Sequence, residues 1–312
     1  MGHADLQYGG CAIREGDWRD PSAASLLEGF AERKRPARLE FPNCFVQVLE
    51  PDREFRSHFS IVTMVRVNLP RGFVERIDAI RANRSDGAFE LARQAAEASS
   101  LLSRQSDLAG AAVLIEAAQP SMAPLVHLAR RLRASSDPAR VAREFMEELD
   151  GSTAAIVRHV PAVLTEETAI LTHSRSATVF EFLVAAQGRK FVKRVIAMES
   201  EPGGEGRKLA RDVQSRGMPV EIAPDAELAS AVARSGLALT GADWISPAHV
   251  INKVGTAALC RAARERGLPV YCVASRLKML PFEPPPDESG LFEPVPAGCF
   301  TALITEDGVT AR

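Results

Sequence analysis

A few short runs of the chain gather residue types that can bind or transform a small polar molecule. His173-Ser174-Arg175-Ser176 sets a titratable ring, two hydroxyls and a guanidinium in consecutive positions. Gly241-Ala242-Asp243 puts a carboxylate directly after two small residues that allow close approach. Asn252-Lys253-Val254-Gly255-Thr256 supplies an amide, a cation and a hydroxyl. Asp243 in such a setting is a candidate acid/base or an anchor for a ligand hydroxyl. The structural alternative is a helix cap or an Asp243–Lys253 pair. Lys253 could offset that charge or favour an anionic ligand. Ser174 and Ser176 precede a helical run, so their hydroxyls and the free backbone N–H groups could hold a phosphate. Simple N-capping, which serine does routinely, is the alternative.

Other candidates carry less. His173 beside Ser174 invites a hydrolase triad, but no G-x-S-x-G elbow surrounds the serine. Gly203-Gly204-Glu205-Gly206-Arg207-Lys208 looks like a phosphate loop, yet fits neither G-x-x-x-x-G-K-[ST] nor G-x-G-x-x-G. It reads as a solvated turn. His127, His159 and His249 are scattered singles, metal-ligand spacing is absent, and neither a metal nor a cofactor is expected.

The elements that must position these residues begin at Thr168, where short β-rich runs alternate with helical ones. Ala169–Thr172, Arg194–Met198, Pro219–Ile222, Leu237–Thr240, Val270–Val273 and Phe300–Ile304 read as strands. Ala177–Gln187, Gly206–Arg216, Glu227–Ser235 and Val254–Arg266 read as the helices between them. Such alternation with short connections predicts a parallel sheet with helices on both faces. Ligands then sit beyond the carboxyl ends of the strands, where the polar runs fall.

Upstream, Gly72 to Leu149 is helical in pattern. Phe73, Ile77 and Ile80 recur at helical spacing, Ala88–Leu102 is alanine-rich, and Asp137-Pro138 opens a long helix with an N-cap and a proline at its first position. The first sixty or so residues carry turn signals at Gly9-Gly10 and Asp20-Pro21, with possible strands over Phe41–Leu49 and Phe59–Val67. The parse is an N-terminal extension over 1–63, a helical subdomain over 64–150 and a Rossmann-like α/β domain over 151–312. Met64 is an alternative natural start.

Composition narrows the classes. In 312 residues, 38 Lys+Arg against 40 Asp+Glu leave a formal charge of −2, which gives no electrostatic footprint for wholesale nucleic-acid binding. Cys11, Cys44, Cys260, Cys272 and Cys299 are odd in number, widely spaced and without C-x-x-C, which argues against a disulfide framework. The start lacks an apolar signal core, and no stretch approaches the roughly 18 apolar residues of a membrane span. A reducing cytoplasm is the expected location.

Taken together, Leu171-Thr172-His173-Ser174-Arg175-Ser176, Glu199-Ser200-Glu201-Pro202 with Glu205-Gly206-Arg207, Gly241-Ala242-Asp243-Trp244-Ile245 and Ile251-Asn252-Lys253-Val254-Gly255-Thr256 resemble one family. It holds the regulatory α, β and δ subunits of eukaryotic initiation factor 2B and two isomerases, of 5-methylthioribose 1-phosphate and of ribose 1,5-bisphosphate. Weaker matches lie at Asp86-Gly87-Ala88 and Gln119-Pro120-Ser121-Met122. The resemblance covers about Leu69 to Glu306. It implies a helical N-terminal domain on a Rossmann-like domain, and a homodimer through the latter. It also implies a site with Asp243 and Ser174 at the catalytic positions and Gly87, Ala88, His173, Arg175, Ser176, Gly241, Asn252 and Lys253 around the substrate.

The departures point one way. The family's isomerases are implied to shuttle protons with a Cys at the position of Ser174, paired with the Asp of Gly-Ala-Asp. A thiol titrates near 8.5, whereas an unassisted serine hydroxyl is far less acidic. Arginines suited to phosphate correspond here to Asp86, Gln119 and Glu201, two of which would repel a bisphosphate. The leading expectation is a protein that binds a phosphorylated sugar or nucleotide, with standard isomerase chemistry lost or altered. An aldose–ketose isomerase using Asp243, and a non-catalytic regulatory subunit, are the alternatives.

Overall fold

The computed structural model describes residues 39–41, 44–49, 61–66, 69–287 and 289–312. The chain divides into two compact units, Met1–Leu69 and Pro70–Arg312. In the first, β1 (Leu39–Phe41), β2 (Cys44–Leu49) and β3 (Ile61–Arg66) form an antiparallel sheet, with Cys44 opposite Arg66 and Leu49 opposite Ile61. The single strand expected over Phe41–Leu49 is therefore two, with Pro42-Asn43 between them in sequence. The Gly9-Gly10 and Asp20-Pro21 turn signals lie outside the described residues.

The second unit opens with five long helices: α1 (Arg71–Ala82), α2 (Ala88–Ser99), α3 (Gln105–Ala118), α4 (Ala123–Arg133) and α5 (Pro138–Ile156). Helix α1 buries Phe73, Ile77 and Ile80, the face its spacing predicts. Helix α2 buries Ala88, Ala92, Ala95, Ala96 and Ala98, small side chains that let neighbouring helices approach closely. Asp137 caps α5 by accepting the Arg140 N–H at 2.9 Å, and Pro138 holds the first helical position. The helix continues through Gly151 to Ile156, which is fully buried together with residues of the main sheet. A short turn, α6 (Val160–Val163), follows.

The main sheet contains β4 (Thr168–Thr172), β5 (Val192–Met198), β6 (Val220–Ala223), β7 (Leu237–Thr240), β10 (Val270–Val273), β12 (Ala302–Thr305) and β13 (Gly308–Ala311). Their order is β13-β12-β10-β7-β4-β5-β6, parallel throughout except for β13, which pairs antiparallel with β12 at one edge. Helices α7 (Ala177–Gln187) and α8 (Glu205–Ser215) cover one face, where Phe182, Leu183, Leu209 and Val213 meet Ile170, Val195 and Leu239. Helices α9 (Leu228–Ala233) and α10 (Thr256–Glu265) cover the other, where Val232, Leu259 and Ala263 meet Leu171, Ile196 and Ala238. Two covered faces explain why these strands are near-continuous apolar runs. This is the α/β fold, with a Rossmann-like order, that the alternation predicts.

A second sheet was not legible in the sequence. Strands β8 (Trp244–Ile245), β9 (His249–Lys253) and β11 (Phe292–Pro296) run antiparallel in the order β11-β9-β8. Asn252 and Lys253 thus stand on a strand rather than on a loop above the main sheet, and α10 begins at Thr256 instead of Val254. Val250 to Lys253 are all buried, so β9 shows no apolar–polar alternation to betray it. The glycine run before α8 also departs from expectation. A Cβ on Gly206 would lie 1.6 Å from the Met198 carbonyl oxygen, and Glu205 is buried. The turn is packed against the end of β5 and is not a solvated loop.

Candidate functional site

Strand order reverses between β4 and β7: the chain builds outward from β4 through β5 and β6, then returns to the other side at β7. The connections there leave a crevice beyond the two carboxyl ends. His173 and Ser174 follow β4, and Gly241, Ala242 and Asp243 follow β7. One pocket at this point is lined by all ten sequence-nominated residues: Gly87, Ala88, His173, Ser174, Arg175, Ser176, Gly241, Asp243, Asn252 and Lys253. The packing there admits little change. A Cβ on Gly241 would lie 2.6 Å from that of Ser176. Gly255 has φ +103°, and a Cβ there would lie 2.7 Å from the His173 ring.

Ser174 itself adopts a left-handed φ of 64°. Its N–H donates to the hydroxyl oxygen of Ser200 at 2.7 Å, while its own hydroxyl has no hydrogen-bond partner among the described residues. The fully buried Ser200 also stands 3.2 Å from His173 Nδ1 and 3.0 Å from the Met198 carbonyl. His173 Nε2 donates to the Val254 carbonyl at 2.8 Å, which assigns the proton to that nitrogen and leaves Nδ1 as an acceptor that shares the single Ser200 hydroxyl proton with the Met198 carbonyl. Burial is the main cause that pushes His173 below the ordinary imidazole pKa, so the ring is neutral around pH 7. Both ring nitrogens are engaged by protein, and His173 braces the turn that presents Ser174. Asp225 secures the neighbouring turn by accepting the N–H groups of Ser200 and Glu201 at 2.9 and 2.8 Å.

Two lysines enter the pocket in different ways. Lys253 donates to Glu205 Oε1 at 2.8 Å and to the Pro202 carbonyl, with side-chain exposures of 4% for Lys253 and 12% for Glu205. Its partner is thus Glu205, not Asp243. Lys278, in the turn Arg276–Lys278 after β10, is 5% exposed, and its ammonium makes no hydrogen bond or close ion pair among the described residues. Its ammonium lies 5.1 Å from the centre of the Phe89 ring. Burial raises the Asp243 pKa above the ordinary carboxyl range. The Lys278 charge is the strongest influence opposing that rise, ahead of the Ala88 N–H that reaches the carboxylate from α2. Burial in turn lowers the Lys278 pKa, and Asp243 opposes it. Asn252 donates to Thr256 Oγ1 at 3.0 Å, which in turn donates to the Lys253 carbonyl at 2.7 Å.

Helices α2 and α7 both begin at the pocket, so their first N–H groups and positive dipole ends face it. Ser176 caps α7 by accepting from Val179 N–H at 3.4 Å, as the capping alternative expects, and still lines the pocket. Arg175 donates to Asp212 at 2.8 Å and lies 3.9 Å from Glu90, so its charge is largely answered by protein. The residues at the family's arginine positions are dispersed. Asp86 lines the pocket and accepts from Asn83 at 2.8 Å. Gln119 donates to the carbonyls of Ile80 and Asn83, both at 2.9 Å, and caps the end of α1 instead. Glu201 pairs with Arg207 at 2.5 Å.

Sequence reasoning did not nominate Lys278 or Glu205 for this site. The available signal for Lys278 was a lone cation between Leu277 and Met279, just past a strand's carboxyl end. Glu205 was hidden in a glycine run that reads as solvated. Among the described residues no group of three or more His, Cys, Asp or Glu is placed to hold a metal ion. None of their helices is long and apolar enough to cross a membrane.

Comparison with known proteins agrees with this fold. The Initiation factor 2 subunit family matches residues 78–284. A translation initiation factor eIF-2B subunit 2-like protein of Pyrococcus horikoshii is 31% identical over 224 residues, 68% of this chain and 81% of that protein. A ribose 1,5-bisphosphate isomerase of Haloterrigena turkmenica is 28% identical over 229 residues, 67% of this chain and 70% of the isomerase. The crystal structure of the Pyrococcus horikoshii translation initiation factor eIF-2B superposes with a TM-score of 0.72 at 27% identity, covering 78% of this chain and 98% of that one.

Proposed function

This chain belongs to the initiation factor 2 subunit family, and from that premise we propose that its pocket binds a phosphorylated sugar or nucleotide without the family's standard isomerase turnover. The observation that carries the reading is the convergence of Asp243, Ser174 and the N-termini of α2 and α7 on one pocket. Beyond the Ala88 N–H taken by Asp243 and the Val179 N–H taken by Ser176, the first turns of α2 and α7 offer N–H groups to a phosphate. Asp243 offers an acceptor to a sugar hydroxyl. With Arg175 and Lys253 already paired with carboxylates, the pocket suits one phosphate better than two. Ser174 limits the chemistry: aldose–ketose isomerisation moves a proton between adjacent carbons, and nothing near the Ser174 hydroxyl acts as a base to activate it.

A second reading has one observation of its own. The raised pKa of Asp243 is what a general acid/base working near neutrality needs. On that reading the protein is a working isomerase of a phosphorylated pentose, with Asp243 carrying the proton. Melting curves with ribose 1-phosphate and ribose 5-phosphate, beside a coupled assay for ketose formation, separate the possibilities. A raised melting temperature without turnover supports the main reading. Turnover abolished by Asp243→Asn establishes the second. No shift with either sugar rejects both and leaves a non-catalytic regulatory subunit.

The reading includes a cytoplasmic location, in keeping with free thiols at Cys260, Cys272 and Cys299. It also includes a homodimer through the C-terminal α/β region, which rests on the family resemblance alone. Sedimentation at micromolar concentration is expected to report twice the chain mass of 33.7 kDa.

A further inference from the structure

His173 forms part of the wall of two spaces, the pocket beside Asp243 and a separate cleft of about 180 Å³. The cleft lies on the face of the main sheet that α9 and α10 cover. Its apolar lining comes from Met198 at the end of β5, Leu228 at the start of α9, Val254 just before α10 and Ala258 in its first turn. The two spaces differ in charge. Arg84, Arg175, Lys253 and Lys278 line the first. The second is lined by Asp225 and Glu201, with no lysine or arginine among its lining residues. Glu201 is answered by Arg207 at 2.5 Å. Asp225 is answered by no cation: its two oxygens accept the N–H groups of Ser200 and Glu201 at 2.9 and 2.8 Å, and it forms no ion pair among the described residues. A carboxylate oxygen has two lone-pair sites, so each oxygen of Asp225 keeps one for a further donor.

We propose that this cleft is a binding site for a small organic cation, an amine on an apolar body about the size of one ring, with Asp225 as its counter-ion. Volume sets the body, since an apolar cavity of about 150 Å³ admits benzene and this cleft is of that order. The lining sets the chemistry: aliphatic side chains and the Met198 thioether gain from covering an apolar group and offer little to water. Charge sets the sign. An anion in the cleft would face Asp225 with nothing to offset the repulsion, whereas an ammonium supplies the donor and the charge that Asp225 lacks. The assignment concerns a different space from the pocket beside Asp243 and stands whether or not that pocket holds a sugar phosphate.

The test uses three probes of one size and three charges: benzylamine, benzyl alcohol and benzoate. Each is titrated at neutral pH into the full-length protein carrying ¹³C-methyl methionine, and the Met198 methyl signal, assigned by its loss in Met198→Leu, is followed by NMR. Benzylamine is expected to shift that signal with an affinity about fivefold or more above that of benzyl alcohol, the order of one hydrogen bond to a charged group, and benzoate is expected to bind most weakly. Asp225→Asn is expected to erase the advantage of the amine and to leave benzyl alcohol binding unchanged, a split that mere loosening of the turn does not produce. Ala258→Phe puts a ring into the cleft and is expected to abolish the response to all three probes. Benzoate binding as tightly as benzylamine, an amine advantage that survives Asp225→Asn, equal weakening of amine and alcohol in that variant, or no Met198 response to any probe would each overturn the proposal. So would a Met198 signal that moves on dilution without any probe, because the cleft would then be covered by a second copy of the chain.

Discussion

Two lysine–carboxylate arrangements share one pocket and behave as opposites. Lys253 and Glu205 are in contact at 2.8 Å, and the Pro202 carbonyl takes a further donor of the same ammonium. That pair joins β9 of the small sheet to the first turn of α8, and so ties two elements of the pocket wall together. Lys278 and Asp243 face the same space without touching. One arrangement is closed and joins the walls; the other is open. Charge type and burial alone do not distinguish them. Contact does, and contact depends on elements that come together from distant parts of the chain.

The comparison predicts unequal responses to mutation. The largest belongs to the closed pair. Lys253→Met leaves Glu205 buried without its cation, and Glu205 Oε2 already lacks a partner. Loss of about 3–5 kcal/mol of unfolding free energy is expected in urea denaturation. The double variant Lys253→Met/Glu205→Gln is expected to regain most of it. If the single variant is as stable as wild type, the pair does not hold the wall.

The open pair is expected to respond in the other sense. Asp243→Asn removes a carboxylate whose charged form burial disfavours, so stability is expected to stay within about 1 kcal/mol of wild type or to rise. Sugar phosphate affinity is expected to fall by about tenfold or more. A large loss of stability in Asp243→Asn would place this residue with the structural pair and erase the contrast.

The smallest effect is a pH dependence set by His173 at the pocket and His127 on α4. Burial lowers the pKa of His173 and of His127, so each neutral ring is the form the fold accepts. The unfolded rings titrate near 6.5. Stability from these groups is therefore fully present above about pH 6.5 and is lost as pH falls through the lower folded values. Denaturation midpoints between about pH 7.5 and 5 are expected to fall by an amount worth about 1 kcal/mol. In His127→Gln the slope is expected to shrink without vanishing, since His173 remains. A flat profile for wild type would contradict the neutral assignment and with it the bracing role of His173.

What was legible in the sequence follows from distance along the chain. Strands β4, β7 and β10 carry their signal in consecutive apolar residues, and the order of strands and helices fixes which ends carry ligands. His173, Ser174 and Asp243 were therefore nominated by position. The partners of these groups were not legible, because Lys253 meets Glu205 from 48 positions away and Lys278 reaches the pocket from a turn after another strand. Strand β9 escaped notice because burial on both faces removes the alternation that marks a strand. Glycine pattern misled at Gly206, where the missing side chain serves close packing against Met198 rather than freedom of a loop.

The central claim is that the crevice between β4 and β7 holds a phosphorylated sugar beside Asp243. A crystal structure of the wild-type protein soaked with ribose 5-phosphate tests it most directly. The account predicts the phosphate at the N-terminal turns of α2 and α7, and a sugar hydroxyl within hydrogen-bond distance of the Asp243 carboxylate. A sugar bound outside this crevice would contradict it.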